Sequence, residues 1–441
     1  MTRYPDTQKL GRLLGRLEDF ARLKCEYGAD TAAVEAVLAD MRTGLEVDLA
    51  RLLALPEDPE LATREPYALE GIRVMRPSAD RILWARFDAA TYADRLAGAF
   101  FGRAVGCTLG VPVESWSIEE MRKWAEHFGD AFPPVDFWSA VKDPVGLHYG
   151  VTHRASYTRS GMDGVPVDDD LAYTLLGLLI AEESGLAFTT ADVGNAWKRW
   201  LPVACTAEEV ALENLRAGIS AERAAEQGNP FVQWIGADIR SDPWGWLAPG
   251  QPEKAAGMAW HDARLSHRRN GIFGAMFFSA AISAAFATGD VVRALRLGLM
   301  EIPADCSLAC DLRWALDVGR GLTGHADARA AVDERFAGMS SVHTNNNACL
   351  TVFGLMIGGR DFTRVIGETI AMGLDNDCTA ATAGSLFGAS YGLEAIPAHW
   401  YAGFGNRMQT YLTDIGTLSI DDVLRRFARL AEAGFESRTG T

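Results

Sequence analysis

The sequence predicts a mainly α-helical protein, and three observations carry that prediction. From residue 92 onward, apolar segments rich in small residues alternate with polar loops. Runs that alternate apolar and polar residues with strand propensity are few. The periodicity of repeated βαβ units is absent. The helical segments are predicted over 92–106, 171–184, 271–288, 290–302, 363–373 and 379–392.

The composition is that of a folded protein without a nucleic-acid-binding surface. Of 441 residues, 48% are apolar and 23% are charged, which excludes a disordered chain. The length favours two or three domains. The net charge is −16, so the chain lacks the basic footprint that nonspecific nucleic-acid binding requires.

Residues 1–88 are predicted as an N-terminal helical extension, and residues 89–441 as the main domain. Apolar residues recur in the extension at helical spacing until Pro56 and Pro59 interrupt the pattern. Such amphipathic helices either pack on a core or form an interface between copies, so an oligomer through them is one alternative. The apolar positions include Leu10, Leu13, Leu17, Phe20, Val34, Val37, Leu38, Met41 and Leu45.

Targeting and redox signals favour a cytoplasmic location. The N-terminus lacks the apolar core of a signal peptide. The uncharged stretch 271–289 is rich in Ala, Gly and Ser, and we interpret it as a buried helix rather than a membrane span. The seven cysteines form no CxxC pair, which predicts reduced thiols.

Two acidic clusters each precede an apolar helix: Asp168-Asp169-Asp170 and Asp375-Asn376-Asp377. Helix capping explains one carboxylate at each position. Three in a row, beside helices that belong in a core, repel unless they are protonated or bound to cations. Oxygen ligands favour Mg²⁺, Mn²⁺ or Ca²⁺ over zinc or copper. Capping and metal binding both remain open at this point.

Three further patterns predict local structure or binding. The segment 266–271 (SHRRNG) opens a long apolar helix, where an anion site or a simple polar cap is expected. The segment 343–347 (HTNNN) suits recognition of sugar or base hydroxyls, with capping as the alternative. Gly384, Gly388 and Gly392 lie on one helix face and predict a central helix packed closely against a neighbour.

Four stretches in order resemble the ADP-ribosylglycohydrolase family over residues 89–405. They are DRLAGAFFGRAVGCTLGVPVE (94–114), VDDDLAYTLLGL (167–178), ARLSHRRNGIFGAMF (263–277) and GLDNDCTAATAGSLFGASYG (373–392). The resemblance implies a compact, orthogonal, all-α bundle around one or two divalent ions, usually Mg²⁺. It implies hydrolysis of the glycosidic bond between ADP-ribose and an acceptor such as arginine or serine.

The resemblance also implies roles for individual residues. Asp169 and Asp375 are expected to orient or deprotonate the attacking water, and Glu114 to act as acid/base or substrate gate. Asp168 stands where the family has Thr, and Cys378 where it has Thr or Ser, which adds charge and a soft ligand. The expected metal ligands are Asp168, Asp169, Asp170, Asp375, Asp377, Cys378 and Thr379. The expected substrate contacts are His267, Asn270, Gly271, His343, Asn346 and Tyr149.

The expected partner is a small ADP-ribose-like molecule, a nucleoside or an ADP-ribosylated protein, with no membrane and no nucleic acid. Two competing functions remain open. The fold also suits a non-catalytic, metal-stabilised binding or structural protein. A helical phosphohydrolase would use a His-Asp pair, and His261-Asp262 has no partner histidine motif.

Overall fold

The computed structural model describes Tyr4 and residues 7–436, and these form α-helices with almost no sheet, which confirms the all-α prediction. The first ten helices are α1 (Gln8–Glu26), α2 (Thr31–Leu53), α3 (Pro59–Arg64), α4 (Leu69–Met75), α5 (Ala89–Gly110), α6 (Ile118–Phe128), α7 (Asp169–Ser184), α8 (Thr190–Trp200), α9 (Thr206–Arg216) and α10 (Asp242–Leu247). The others are α11 (Pro252–Ala263), α12 (Asn270–Thr288), α13 (Val291–Gly298), α14 (Ser307–Val318), α15 (His325–Arg335), α16 (Thr344–Gly358), α17 (Phe362–Ala371), α18 (Asn376–Tyr391), α19 (His399–Ala402) and α20 (Ile420–Glu436). Strands β1 (Leu147–His148) and β2 (Thr152–His153) pair antiparallel.

The chain divides into two compact units, Met1–Thr63 and Arg64–Thr441. Residues 64–88 of the predicted extension therefore lie in the larger unit, and the domain boundary at residue 88 stays a prediction. The helices α1 and α2 appear where the apolar spacing predicts them. Asp30 caps α2 by accepting a hydrogen bond from the backbone of Ala32.

The apolar residues of α2 are not buried by the other helix of their own unit. None of its residues is buried, and Leu38, Leu45 and Leu52 are exposed. A pair of helices shares only one face, so two helices leave much of an apolar stripe in solvent. Core packing and oligomerisation through these helices therefore both stay predictions.

The core of the larger unit is built around α12, α16 and α18, whose residues are buried almost without interruption. Two helices, Ala89–Val113 and Asn270–Thr288, are long and apolar enough to span a membrane, and most of each is buried inside the protein. The stretch 271–289 is therefore a core helix, as the sequence predicts.

Helices α5 and α18 pack with their backbones in contact. A Cβ atom added to Gly102 would lie within 3.0 Å of the Gly384 backbone, and one added to Gly98 within 3.0 Å of Gly388. Closer to the helix ends, a Cβ on Gly110 would meet the backbone of Asp377. The predicted close approach of α18 is confirmed. It sets the end of α5 directly against the start of α18.

Candidate metal centre and active site

The two acidic clusters lie at the starts of α7 and α18, but their first carboxylates are used differently. Asp168 caps α7, because its Oδ1 accepts a hydrogen bond of 3.0 Å from the Asp170 backbone. Asp375 stands at the equivalent position of α18 and accepts no capping hydrogen bond. Capping therefore explains Asp168 and does not explain Asp375.

The loop after α5 brings Glu114 to the same place. The backbone of Ser115 donates a 3.0 Å hydrogen bond to the carbonyl of Leu374, which ties this loop to the residue before Asp375. Ser115 and Leu374 both have φ of 62°, in the left-handed region that disfavours residues with side chains. Such backbone strain concentrates at functional sites, and here it flanks two of the predicted site residues.

Five of the six predicted acidic residues converge into three groups that could hold a metal ion, and Asp169 belongs to none of these groups. In each group the ligand atoms all lie within 4.8 Å of one another. The groups share Asp170 and Asp377, so the whole arrangement is continuous. The groups are Cys107, Asp168 and Asp170; Asp170, Asp377 and Cys378; and Glu114, Asp375 and Asp377.

Several oxygen atoms of this cluster lack a partner within the described residues. Asp170 Oδ2, Asp375 Oδ1 and Asp377 Oδ1 are buried and make no hydrogen bond. A buried carboxylate oxygen without a donor is costly, and a bound cation satisfies it. The donor set is dominated by oxygen, so these residues fit a divalent cation.

Burial dominates the electrostatics of the cluster. It raises the pKa values of Asp168 and Asp377 well above the ordinary range of a carboxyl group. Glu114 is solvent-exposed in part, but desolvation by the surrounding protein and the nearby charges of Asp375 and Asp169 raise its pKa to about 8. For Asp170, burial raises the pKa to about 7, although the guanidinium of Arg103 opposes this. Without a cation, the cluster therefore retains protons near neutral pH.

A cavity of about 210 Å³ opens beside this cluster. Its lining contains both acidic side chains and aromatic rings. Tyr149, predicted as a substrate contact, lines the cavity and stacks on Tyr411 with ring centroids 4.5 Å apart. The lining residues are Glu114, His148, Tyr149, Asp168, Asp169, Tyr173, Cys205, Thr206, Glu208, Trp234, Ile235, Gly236, Ile239, Val342, Asp375, Asp377 and Cys378.

Three side chains at the cluster were not singled out from the sequence. Arg103 is fully buried and donates 2.8 Å hydrogen bonds to Asp170 Oδ1 and to Asp242 Oδ2. Cys107 lies on the same helix, within the first ligating group. His148 Nε2 lies 3.1 Å from Asp168 Oδ2. An arginine inside an apolar helix is a signal for a buried carboxylate partner, whereas His148 lies in a loop without a pattern.

Other predicted contacts lie outside the cavity lining and are engaged elsewhere. The Asn270 side chain donates to Gln233 (2.8 Å) and accepts from the Leu308 backbone (3.1 Å). His267 is bonded to the Ser266 hydroxyl at 2.8 Å, and His343 caps α16. None of the described residues His267, Asn270, Gly271, His343, Asn346 and Thr379 lines the cavity. Asn346 bonds the Ser340 carbonyl at 2.8 Å, and Thr379 bonds the Asn376 carbonyl at 3.3 Å.

Comparisons with known proteins identify the family of this chain. Residues 88–436 match the family model described as ADP-ribosylglycohydrolase. A protein of Archaeoglobus fulgidus, itself described as uncharacterized, is 25% identical over 338 residues, which cover 74% of this chain and 95% of that protein. A solved structure described as an ADP-ribosylglycohydrolase-related protein complex covers 78% of this chain and 99% of its own. Its TM-score is 0.45 and its sequence identity is 20%.

Proposed function

Because the chain belongs to the ADP-ribosylglycohydrolase family, we propose that it is a divalent-metal-dependent hydrolase that cleaves a glycosidic bond to ribose. The observation that carries this proposal is a cluster of buried carboxylates with unpartnered oxygen atoms, two of which, Asp375 and Asp377, line a cavity. The preferred substrate is an ADP-ribosyl compound, free or attached to protein, and a nucleoside or nucleotide is the related choice.

The metal centre would be held by the aspartates of the three ligating groups, and Glu114 beside them is left free for proton transfer. Asp170, Asp375 and Asp377 each offer a buried oxygen without another partner. Mg²⁺ is the expected ion, as one or two per chain, and Mn²⁺ or Ca²⁺ would suit the same oxygen atoms. When bound, such an ion supplies charge stabilisation and a template that orients hydroxyl groups of the sugar.

Glu114 is the proposed proton donor. In the metal-free protein its pKa is raised to about 8, so its carboxyl group carries a proton there at neutral pH. As the bond from C1 to the leaving nitrogen or oxygen breaks, that proton passes to the leaving atom. The group lines the cavity, so it is placed to reach a bound substrate.

Asp169 and Asp375 are the proposed partners of the attacking water. Both line the cavity, on the starts of two different helices. A carboxylate there holds a water molecule for attack on C1 and accepts its proton, so the sugar gains the hydroxyl. Negative side chains also stabilise the positive charge that develops on the ribose ring.

The aromatic side chains that line the cavity are the proposed binding site for the part of the substrate beyond the ribose. Tyr149, braced by Tyr411, offers a flat surface on which a base or sugar can stack. Tyr149 has φ of 48°, so its backbone is held in an unfavourable conformation while its ring lines the cavity.

We further propose a cytoplasmic role for the protein, without a membrane or nucleic-acid partner.

The test is a substrate panel with two matched variants. Purified protein is incubated with ADP-ribosyl-arginine, ADP-ribosyl-serine and nucleosides, in chelator or with Mg²⁺, Mn²⁺ or Ca²⁺, and released sugar is measured by mass spectrometry. Asp375→Ala removes a buried carboxylate of the site. Asp361→Ala removes the exposed carboxylate that caps α17 through the Arg364 backbone.

We expect metal-dependent release by the wild type and by Asp361→Ala, and none by Asp375→Ala. Loss of activity in both variants would point to damage of the fold rather than to a site role. Metal binding without release of sugar from any substrate would favour the non-catalytic alternative, a metal-stabilised binding protein of the same fold.

A further inference from the structure

Sulfur is present in two of the three groups that could hold a metal ion. One group pairs Cys107 with Asp168 and Asp170, and another pairs Cys378 with Asp170 and Asp377. The third, formed by Glu114, Asp375 and Asp377, contains only oxygen. Thiolates favour zinc-like ions, whereas carboxylates alone suit Mg²⁺, so the groups differ in the cation that they prefer.

In the group around Cys107, the carboxylate of Asp168 already has hydrogen-bond partners. Asp168 Oδ1 accepts a 3.0 Å hydrogen bond from the Asp170 backbone, and Asp168 Oδ2 lies 3.1 Å from His148 Nε2. Both oxygens of this carboxylate therefore have partners. Among the described residues that line the cavity, Cys107 is absent. This group is the less suited of the two to take up an ion.

In the group around Cys378, two carboxylate oxygens have no hydrogen-bond partner and could bind an ion. Asp170 Oδ2 and Asp377 Oδ1 are buried without any hydrogen-bond partner in the described part of the chain. Asp170 is held in place through its other oxygen, Oδ1, which accepts a 2.8 Å hydrogen bond from Arg103. Cys378 also lines the cavity, so an ion entering there can reach its sulfur.

We propose that Asp170, Asp377 and Cys378 form a thiolate-containing site for a thiophilic divalent cation such as Zn²⁺, beside an oxygen-only site at Asp375 and Asp377. The inference rests on the proposed function for the existence of a metal centre, and it adds the identity of one ion. On binding, the Cys378 thiol gives its proton to solvent and its sulfur becomes a ligand. Asp377 belongs to both groups and would link the two ions.

The test uses Co²⁺, whose bond to a thiolate gives a charge-transfer band in the near ultraviolet. The full-length protein is stripped with chelator, kept in a thiol-free reductant and titrated with Co²⁺. Zn²⁺ binds more tightly than Mg²⁺ at many sites, so the band, rather than competition between ions, is the deciding readout. We expect the wild type to show the band and Zn²⁺ to abolish it by displacing Co²⁺.

Three single variants locate the sulfur. Cys378→Ser is expected to lose the band and to bind Zn²⁺ on the order of 10- to 100-fold more weakly. Cys107→Ser and Cys349→Ser are expected to keep the band. Cys349 is the matched control, because it is buried and its sulfur lies 3.6 Å from the Asp311 carbonyl rather than in a ligating group.

Two further readouts keep the inference open to contradiction. If Cys378→Ser does not fold, as judged by circular dichroism, protection of Cys378 by Zn²⁺ from alkylation in the wild type supports the site, and unchanged labelling contradicts it. Co²⁺ binding without the band, or a band that survives in Cys378→Ser, overturns the inference and leaves an oxygen-only centre for the proposed function. No Co²⁺ binding at all contradicts both.

Discussion

Asp168 and Asp375 occupy the same position, the residue before the first turn of a helix, but they do different work. Asp168 satisfies the backbone of its own helix, whereas Asp375 leaves Oδ1 buried without a partner. From sequence alone both residues suit capping equally well, because the capping bond depends on local backbone angles. Only the structure separates the cap from the ligand candidate.

This difference predicts the effect of Asp375→Asn on the metal-free protein. The Asp375 carboxylate lies close to that of Asp169, and its Oδ1 is buried without a hydrogen-bond partner, so the neutral isostere removes a source of repulsion. We expect the free energy of unfolding in chelator to rise by about 1 kcal/mol or more. Urea denaturation measures this change.

The control for that prediction is Asp361→Ala, which removes a working cap and is expected to lower stability by about 1 kcal/mol. If Asp375→Asn destabilises the metal-free protein as Asp361→Ala does, the carboxylate of Asp375 has a structural partner, and its assignment as a ligand candidate fails.

The acidic ligand candidates could be predicted from the sequence, but most of the substrate contacts could not be placed. Carboxylates beside apolar helices can be recognised from the sequence as ligand candidates, since a buried carboxylate needs a positively charged partner. Polar residues such as Asn270 and Asn346 carry no such signal. Their side chains bond equally well to a substrate or to backbone carbonyls, and which partner they meet is set by distant segments. Both are bonded within the protein.

At the scale of elements, the contact between α5 and α18 decides where the site forms. The spacing of Gly384, Gly388 and Gly392 predicts that α18 packs closely. The sequence does not name the partner helix, because glycines at 98, 102, 106 and 110 of α5 have an equal helical spacing whose match in space is a tertiary property. The contact sets Glu114 beside Asp375 and Asp377.

The close contact predicts that Gly102→Ala is strongly destabilising. The added Cβ would lie within 3.0 Å of the Gly384 backbone, and backbone cannot move aside as a side chain can. Overpacking of this kind costs about 1–3 kcal/mol or more. We expect a lower melting temperature, measured by calorimetry, with weakened metal binding because α18 carries two ligand candidates.

Gly257→Ala is the matched control. Gly257 lies inside α11, and no atom lies within 4 Å of a Cβ built there. Alanine lowers the entropy of the unfolded chain, so this change is expected to stabilise the protein by about 0.4–1 kcal/mol. Equal destabilisation by both substitutions would contradict the proposed backbone contact.

At the scale of the whole molecule, the sequence predicts the all-α class well but resolves the N-terminal region less well. Apolar spacing locates α1 and α2, since a helix repeats its faces every 3.6 residues. The same spacing cannot tell whether a stripe is covered, because burial depends on what packs against it. Leu45 and Leu52 fit a core pattern and are exposed.

The buried carboxyl groups predict how the stability of the whole molecule depends on pH without metal. Burial raises the pKa of Asp170 and that of Glu208 to about 7. The folded protein therefore holds these protons more tightly than the unfolded chain, and stability falls as pH rises through 7. Burial lowers the pKa of His148 to about 4. This histidine therefore makes stability rise with pH, mainly between pH 4 and its ordinary pKa of 6.5.

The window from pH 6.5 to about 8 therefore isolates the carboxyl groups. We expect the free energy of unfolding in chelator to fall across it by about 1 kcal/mol or more, because Asp170, Glu208 and Glu114 all lose protons in this range. Saturating divalent cation is expected to remove the contribution of Asp170, because it occupies that carboxylate. The contribution of Glu208, which is paired with Arg240 outside the ligating groups, is expected to remain. Urea titrations at both ends of the window measure the difference. A flat or rising profile in chelator is the contrary result.

The central claim is that the starts of α7 and α18 together form a divalent-cation centre. The most direct test is the metal content of the full-length protein after equilibrium dialysis against a divalent cation, for wild type, Asp377→Asn and Asp361→Ala. We predict one or two ions per chain in the wild type and in Asp361→Ala, and a clear loss in Asp377→Asn. Equal metal content in all three proteins, or none in any, would contradict the claim.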